Sequence, residues 1–536
     1  MSGDGTAGAA GGGFDVAKFV ESFPVIAEAE GGLKRLRWLV LELAVRGQFT
    51  SSSPDDCSVC ELLDRAEVEW RARLQAGTAR TMSDLASVSE SEEPFPLPNS
   101  WTWTRIGRAM NLVNGRAFKP SDWSATGMPI IRIQNLNSPS APFNYCAGIV
   151  EPRHRVSPGN LLISWSGTPG TSFGAFIWNG PPGVLNQHIF RVEAYGDAYE
   201  LRFLEIAVNA RLDEMIAHAH GAVGLQHITK GKLEALPIPL PPIAEQKRIV
   251  AKVDELMRLI DDLEAKRKRR GEAQARWRTA ALAELMNTQE PTALSAAWDI
   301  LSKSSGVIFH SSENIATLRQ VLVDLAADGR LIGSPGSAQG RPKTCLSRVL
   351  KEPLANGRSV PDGPNGFPVL RLSALRGQFV NIEDHKLGAW TAAEAQRFLV
   401  REGDVLFVRG NGAIRLVGRA CIAGRPKFDV AYPDTAIRAR PDLDIIDPKW
   451  LWLVWESTDC RVQIARTART TAGIFKVSQE NLSEVTFLLP PLAEQKRIVA
   501  KVDQLMALCD ALEAALRRKE QAATKLAEAV VAEMVA

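Results

Sequence analysis

The 536-residue chain is expected to be an α/β (α+β) protein: two mixed α/β domains separated by a pair of long antiparallel helices, forming a pseudo-twofold internal repeat. Three observations point there. One 25-residue segment occurs twice almost unchanged, and its apolar residues recur at helical spacing. Each copy follows a stretch of short apolar runs broken by Gly, Pro and Asn.

The repeat is explicit. Pro241–Ala265 reads PPIAEQKRIVAKVDELMRLIDDLEA and Pro490–Ala514 reads PPLAEQKRIVAKVDQLMALCDALEA, with 20 of 25 positions identical at an offset of 249. Weaker echoes surround it. Leu36-Arg37, Leu43-Ala44 and Gly47 correspond to Leu318-Arg319, Leu325-Ala326 and Gly329. Asn114-Gly115-Arg116 returns as Asn356-Gly357-Arg358, Gly127–Arg132 resembles Gly366–Arg371, and Gly224–Leu240 parallels Gly473–Leu489. Between these landmarks the halves differ strongly, so a constant frame carries two different inserts.

Taken in order, residues 1–32 read as a flexible tail and leader; the opening MSGDGTAGAAGGG lacks the basic and apolar parts of a signal peptide. Residues 33–94 read as N-terminal helices ending in a Ser/Glu-rich linker at 83–94. The first α/β domain, 95–240, has strand-like runs near 129–133, 160–165, 174–178 and 188–192, then a helix over Tyr199–Ile216. A central helical region, 241–332, starts at Pro241-Pro242, which suit a helix start and not its interior. Its apolar stripe falls at 249, 253, 256, 260 and 263. The basic run Lys266–Arg270 followed by Gly271 predicts a bend or fray, and helical character returns through Trp277, Leu282 and Leu285. The second α/β domain, 333–489, opens on a Gly/Pro/Ser linker at 333–343. Its runs lie near 368–372, 404–408, 417–422 and 435–439, and a Trp-rich helix follows over Lys449–Glu456. The last segment, 490–536, is a helix with its stripe at 498, 502, 505, 509, 512 and 516.

Composition excludes more than it identifies. A net charge of +3 does not announce a nucleic-acid binder, although a reader can gather its cations on one face. No run of about 18 apolar residues is present to cross a membrane. Seven scattered cysteines suit a reducing cytoplasm better than a disulfide framework. Cys57-Ser-Val-Cys60 has zinc-like spacing without a second pair, and His218 and His220 read as surface residues. The sequence carries no GxxxxGK[ST] loop, and Asn179–Gly183 lacks the aromatic of an amino-methyltransferase motif. No nuclease-like carboxylate cluster emerges. The chain is therefore expected to have no catalytic residues, bind no metal or cofactor, and work with catalysts held elsewhere.

The two PPxAEQKRIV segments with their helices and the Leu-Arg…Leu-Ala…Gly helices make the chain resemble the specificity subunits of type I restriction–modification systems. Leu97-Pro98-Asn99-Ser100-Trp101 and Asn186-Gln187-His188 add to that resemblance, which spans roughly residues 33–516. It implies two target-recognition domains, each reading half of an interrupted double-stranded DNA site, and paired helices that set the gap. It implies as partners two modification subunits, which methylate adenine with S-adenosylmethionine, and restriction subunits using ATP and Mg2+ where those join. The second insert departs from the pattern, with Tyr432-Pro433-Asp434 where Asn-Gln-His would fall.

Elementary geometry agrees. A helix of about 30 to 44 residues spans about 45 to 65 Å, enough to hold two readers one to two DNA turns apart. A duplicated frame offers a similar surface twice, hence two partner copies. Base edges are read by Arg, Asn or Gln, and phosphates by any positioned cation. In the first insert Arg116, Lys119, Gln134, Asn135, Gln187, His188, Gln226, His227 and Lys230 have that chemistry. In the second, Arg358, Arg409, Asn411, Arg415, Arg466, Arg469 and Lys476 do. Each is otherwise an ordinary solvated residue. Glu245, Gln246, Lys247 and Arg248, with Glu494, Gln495, Lys496 and Arg497, are candidates for partner docking, against capping and surface charge. Lys266–Arg270 is a solvated or partner-facing run that could also touch the DNA gap. The competing function is a structural adaptor that organises partners without reading sequence.

Overall fold

The computed structural model describes residues 14–77, 86–138, 141–167, 173–212, 216, 226–288, 290–332, 342–471 and 473–535. The glycine-rich tail 1–13, His218, His220 and most of both linkers lie outside them. The chain forms two compact units, one of residues 1–268 with 520–536 and the other of residues 269–519. Two long helices, Ile243–Asn287 and Leu492–Val535, each contribute to both units. Each unit holds the N-terminal part of one and the C-terminal part of the other, as an antiparallel pair requires.

In the first unit, strands β1 (Thr102–Arg105), β2 (Met110–Asn114), β3 (Met128–Ile131), β4 (Asn144–Cys146), β5 (Arg155–Val156) and β6 (Leu161–Ser164) come first. They are followed by β7 (Ser166–Gly167), β8 (Gly174–Ile177), β9 (Gly183–Leu185), β10 (Ile189–Ala194), β11 (Gln226–His227) and β12 (Pro237–Leu240). The central sheet has the order β2-β10-β6-β8, and a second sheet runs β4-β3-β9-β5. Pairs β1-β12 and β7-β11 complete the unit. Helix Leu201–Ala210 buries Phe203, Ile206 and Ala207 in a core shared with helix Gly32–Val45, through Leu36, Leu39 and Leu43. The long-helix stripe at Ile249, Val253, Leu256 and Ile260 closes that core, together with Ala527 and Val531.

The second unit repeats the plan with β13 (Lys343–Cys345), β14 (Leu350–Asn356), β15 (Asp362–Leu370), β16 (His385–Gly388), β17 (Val405–Val408) and β18 (Gly410–Asn411). Then come β19 (Ala420–Ile422), β20 (Ala436–Pro441), β21 (Arg469–Thr471), β22 (Ile474–Lys476) and β23 (Thr486–Leu488). Its central sheet, β14-β20-β17-β19, has the connectivity of the first, and β13-β23 matches β1-β12. Helix Pro448–Trp455 covers it with Trp450, Leu451, Val454 and Trp455. Ile498 and Val502 pack into that core, and Leu505 and Cys509 join Leu282, Leu285 and helix Ser312–Ala327.

Local chemistry explains the repeated signatures. Pro242 and Pro491 offer carbonyls to the amides of Gln246 (2.9 Å) and Gln495 (3.0 Å), opening each long helix. Gly47 (φ +72°) and Gly329 (φ +68°) end the Leu-Arg…Leu-Ala helices in the left-handed region that favours glycine. The next amides, Gln48 and Arg330, bond back to Leu43 and Leu325. Two expectations are corrected. The leader contains helix Val16–Glu28, which belongs to the core because Phe19, Phe23 and Ile26 are buried there. No break occurs at Lys266–Gly271: the helix runs unbroken for 45 residues, so its other contacts and good helix formers outweigh one glycine, about 1 kcal/mol.

Candidate nucleic-acid interface

One close approach organises the same edge of both domains. A Cβ on Gly115 would stand 2.0 Å from the Asn186 carbonyl oxygen, and one on Gly357 would stand 2.0 Å from that of Pro433. Only glycine lets these backbones meet. Next to it, Arg116 bridges Asn186 and Arg358 bridges Pro433, both in parallel sense. The amide of Trp165 bonds the His188 carbonyl (3.4 Å), while Ile228 bonds back to Trp165 (3.0 Å). In the second domain Arg409 bonds Thr435 (2.9 Å) and Val477 bonds Arg409 (3.0 Å). These bonds put Trp165, Gln187, His188 and His227 in register with Arg409, Asp434, Thr435 and Lys476.

In the first domain, Arg116 lies over Phe118 (5.1 Å) and 3.6 Å from Asp122, with Lys119 exposed nearby. Gln187 is exposed and touches His188 (3.1 Å), whose ring packs at 5.6 Å from Trp165. Gln226 and His227 form β11, paired with β7 beside Trp165. Gln134 is exposed in the turn after β3 and donates to Pro142 (3.4 Å). Two candidates are corrected. Asn135 is 3% exposed and holds its own turn, accepting from the Arg132 amide and donating to Ala141. Lys230 donates to the Leu112 carbonyl (2.7 Å) and pairs with Glu234 (3.5 Å), so its charge is spent within the fold.

In the second domain Arg469 and Gly410 flank Lys476 in the sheet β18-β22-β21. Arg409 precedes β18 and donates to the Asp434 carbonyl (3.3 Å). Arg358, Arg415, Arg466, Arg469 and Lys476 are exposed, and Arg358 faces Trp390 at 6.0 Å. Asn411 caps its own turn through the Ala413 amide (3.1 Å). Beneath this edge Glu352 accepts from Arg438 (2.6 Å) and Arg440 (2.8 Å), which hold its carboxyl down at about 2. Position for position, Arg438 corresponds to Arg191, whose acid is Glu193 (2.7 Å).

In the duplicated EQKR tetrads Glu245, Gln246 and Gln495 are buried, which corrects the docking expectation for those three. Gln246 and Gln495 are 0% exposed. Gln246 donates to Ala198 and Pro241 and accepts from the Glu200 amide. Gln495 donates to Ile445 and Pro490 and accepts from the Asp447 amide. Each glutamine thus ties its domain to its long helix. Glu245, 1% exposed, accepts from Trp101, Ser52 and Thr50, which explains the Leu-Pro-Asn-Ser-Trp motif. Arg248 forks onto Asp56, holding that carboxyl below its ordinary range. Lys247, Lys496 and Arg497 remain at the surface.

Sequence reasoning missed two duplicated ion pairs. Arg37 reaches Asp261 and Glu264 (both 2.7 Å), and Arg319 reaches Asp510 (2.7 Å) and Glu513 (3.3 Å). Arg202 pairs with Asp254 as Lys449 pairs with Asp503. The recurring Leu-Arg signal and the 249-residue offset could have matched the first pair. Among the described residues, no group of three or more His, Cys, Asp or Glu is placed to hold a metal ion. No helix there is long and apolar enough to cross a membrane.

A duplicated frame presenting two unlike edges defines a two-headed recognition protein. The chain belongs to the family described as "Type I restriction modification DNA specificity domain", which it matches over residues 98–270 and 364–521. It is similar to the EcoEI type I restriction enzyme specificity subunit of Escherichia coli, with 23% identity over 557 residues and 93% of each chain covered. It is also similar to the EcoBI specificity subunit of Escherichia coli, with 25% identity over 441 residues, 81% of this chain and 85% of that one. A solved structure described as "Structural basis underlying complex assembly and conformational transition of the type I R-M system" shares the fold. It has a TM-score of 0.52 and 20% identity, covering 82% of this chain and 99% of its own. The chain is thus a recognition subunit rather than a catalytic one.

Proposed function

We propose that this chain reads an interrupted site in double-stranded DNA, one half through the domain at 95–240 and the other through the domain at 333–489. The observation that carries this is the shared backbone register of the two edges combined with different side chains at matched positions: Trp165 and Arg409, Gln187 and Asp434, His227 and Lys476. One scaffold with two sets of contacts suits two half-sites of different sequence. Arg116, Lys119, Gln134, Gln187, His188, Gln226 and His227 are the proposed contacts of the first domain. Those of the second are Arg358, Arg409, Asn411, Arg415, Arg466, Arg469 and Lys476.

The helical segments 241–332 and 490–536 serve as the spacer and dock two modification subunits, which bring S-adenosylmethionine. Restriction subunits bring ATP and Mg2+ where they join, and the complex works in the cytoplasm. Matched surfaces at Leu259 and Leu508, with Lys247, Arg248, Glu494, Lys496 and Arg497, are the proposed docking positions. Methylation mapping of the source genome tests the reading, and footprinting of the assembled complex tests it directly. Two short protected blocks around an indifferent gap are expected. Protection unchanged when the blocks are scrambled would replace the reader with an adaptor.

A further inference from the structure

We infer that the two recognition domains hold DNA by different means: the second mainly through cations on phosphates, the first mainly through neutral, short-range contacts. The inference rests on the DNA-reading role proposed above. It starts from one stretch in each half. Residues 461–476 contain Arg461, Arg466, Arg469 and Lys476, whereas the matching residues 212–227 contain no Lys or Arg. Arg461 is used internally, donating to the Arg415 and Val417 carbonyls. Arg466, Arg469 and Lys476 are exposed and make no ion pair among the described residues. The β-register puts Lys476 where the first domain has His227.

The neighbouring positions show the same exchange. Arg409 stands where the first domain has Trp165, whose ring lies stacked on Phe190 (5.6 Å) and tilted against His188. The Trp165 indole N–H is buried and has no hydrogen-bond partner among the described residues. One exchange runs the other way, since Asp434 replaces Gln187. The second edge is still the more cationic: Arg409, Arg466, Arg469 and Lys476 stand where the first domain has Trp165, Ala217, His220 and His227. Arg358 is matched by Arg116, which lies 3.6 Å from Asp122, and Lys119 is an exposed cation of the first edge. Exposed cations without counter-charges bind phosphates and release condensed counterions, with a salt slope of about −0.9 per phosphate. Amides and aromatic rings contribute no such slope.

The test measures DNA affinity against salt for the chain assembled with its modification subunits, at about pH 8 where ordinary histidines are neutral. Replacing Arg466, Arg469 and Lys476 together by Ala should lower the log–log salt slope by about 2.7. Between 50 and 200 mM salt that variant should lose about 40-fold less affinity than the parent complex. The matched first-domain triple, Gln187→Ala, Gln226→Ala and His227→Ala, should weaken binding at every salt concentration with the slope unchanged. Arg469→Lys and Lys476→Arg should keep the slope, separating charge from folding. His227→Lys should add about 0.9 to it. Equal slope losses from the two triples, or none from the second-domain triple while sequence-specific binding persists, would overturn the inference. A parent complex that binds all sequences alike would instead sink the DNA-reading role itself.

Discussion

The two recognition domains share a skeleton down to single hydrogen bonds and differ in nearly everything they show to solvent. Gln246 and Gln495 make the same three bonds to the same backbone positions, and Gly115 and Gly357 allow the same close approach. Even the central-sheet arginine recurs, half-buried as Arg191 and buried as Arg438, yet its acid has moved from β10 (Glu193) to β14 (Glu352). The contrast teaches that duplication here preserves how each domain is attached and frees what it presents. Within the domains, positions that place a backbone are matched, whereas most outward positions of the two edges are not.

That contrast breaks most violently at the glycines. Gly115→Ala or Gly357→Ala forces a methyl into the backbone carbonyl oxygen of Asn186 or Pro433, with no side chain free to yield. Each should destabilise its own unit by about 3 kcal/mol or more, read as a lowered melting transition. Matched losses support equivalent frames, and a neutral Gly357→Ala would refute them. Next come Gln246→Ala and Gln495→Ala. Each leaves two buried carbonyls and one amide without their side-chain partner, which should cost about 2 to 3 kcal/mol. The two values should agree within about 0.5 kcal/mol in chemical denaturation.

Acid sharpens the difference between the domains. The Glu352 carboxyl, held at about 2 by hydrogen bonds from Arg438 and Arg440, contributes stability that is full above about pH 4.5. A lowered folded-state value means that this contribution fades as pH falls from about 4.5 towards 2. Glu352→Gln should therefore destabilise the second unit at neutral pH by about 2 kcal/mol, a figure reduced for the partial exposure of the carboxylate. The gap to the parent should narrow as the pH falls below about 4.5 and close only near pH 2. A gap that widens in acid would contradict the assignment.

Much of the frame was legible in the sequence because repetition and apolar periodicity are properties of order along the chain. The 249-residue offset, the proline starts and the long-helix stripes all describe local structure. Legibility failed where a polar residue is buried, since nothing in AEQKR distinguishes Gln246, sealed under Ala198 and Pro241, from Lys247 beside it in solvent. Asn135 was misread for that reason, and half-buried Lys230 because a carbonyl and a carboxylate hold its ammonium. The match of Trp165 to Arg409 was hidden for another. Inserts of unequal length shift the offset there to 244, so only strand pairing reveals it.

The smallest expected effect on folding separates frame from partner surface. Leu259 and Leu508 occupy the same place in the duplicated helices, yet they are 39% and 59% exposed while their neighbours Leu256 and Leu505 are buried. A leucine left in solvent at both copies contributes little to either core. Leu259→Glu and Leu508→Glu should each change stability by less than about 0.5 kcal/mol. If these positions meet modification subunits, each substitution should remove one partner from the assembled complex, and the double variant both, by mass measurement. Because the frame is duplicated, the single variants should yield one-partner complexes rather than none. Full occupancy in the double variant would leave the exposed leucines without a role in docking.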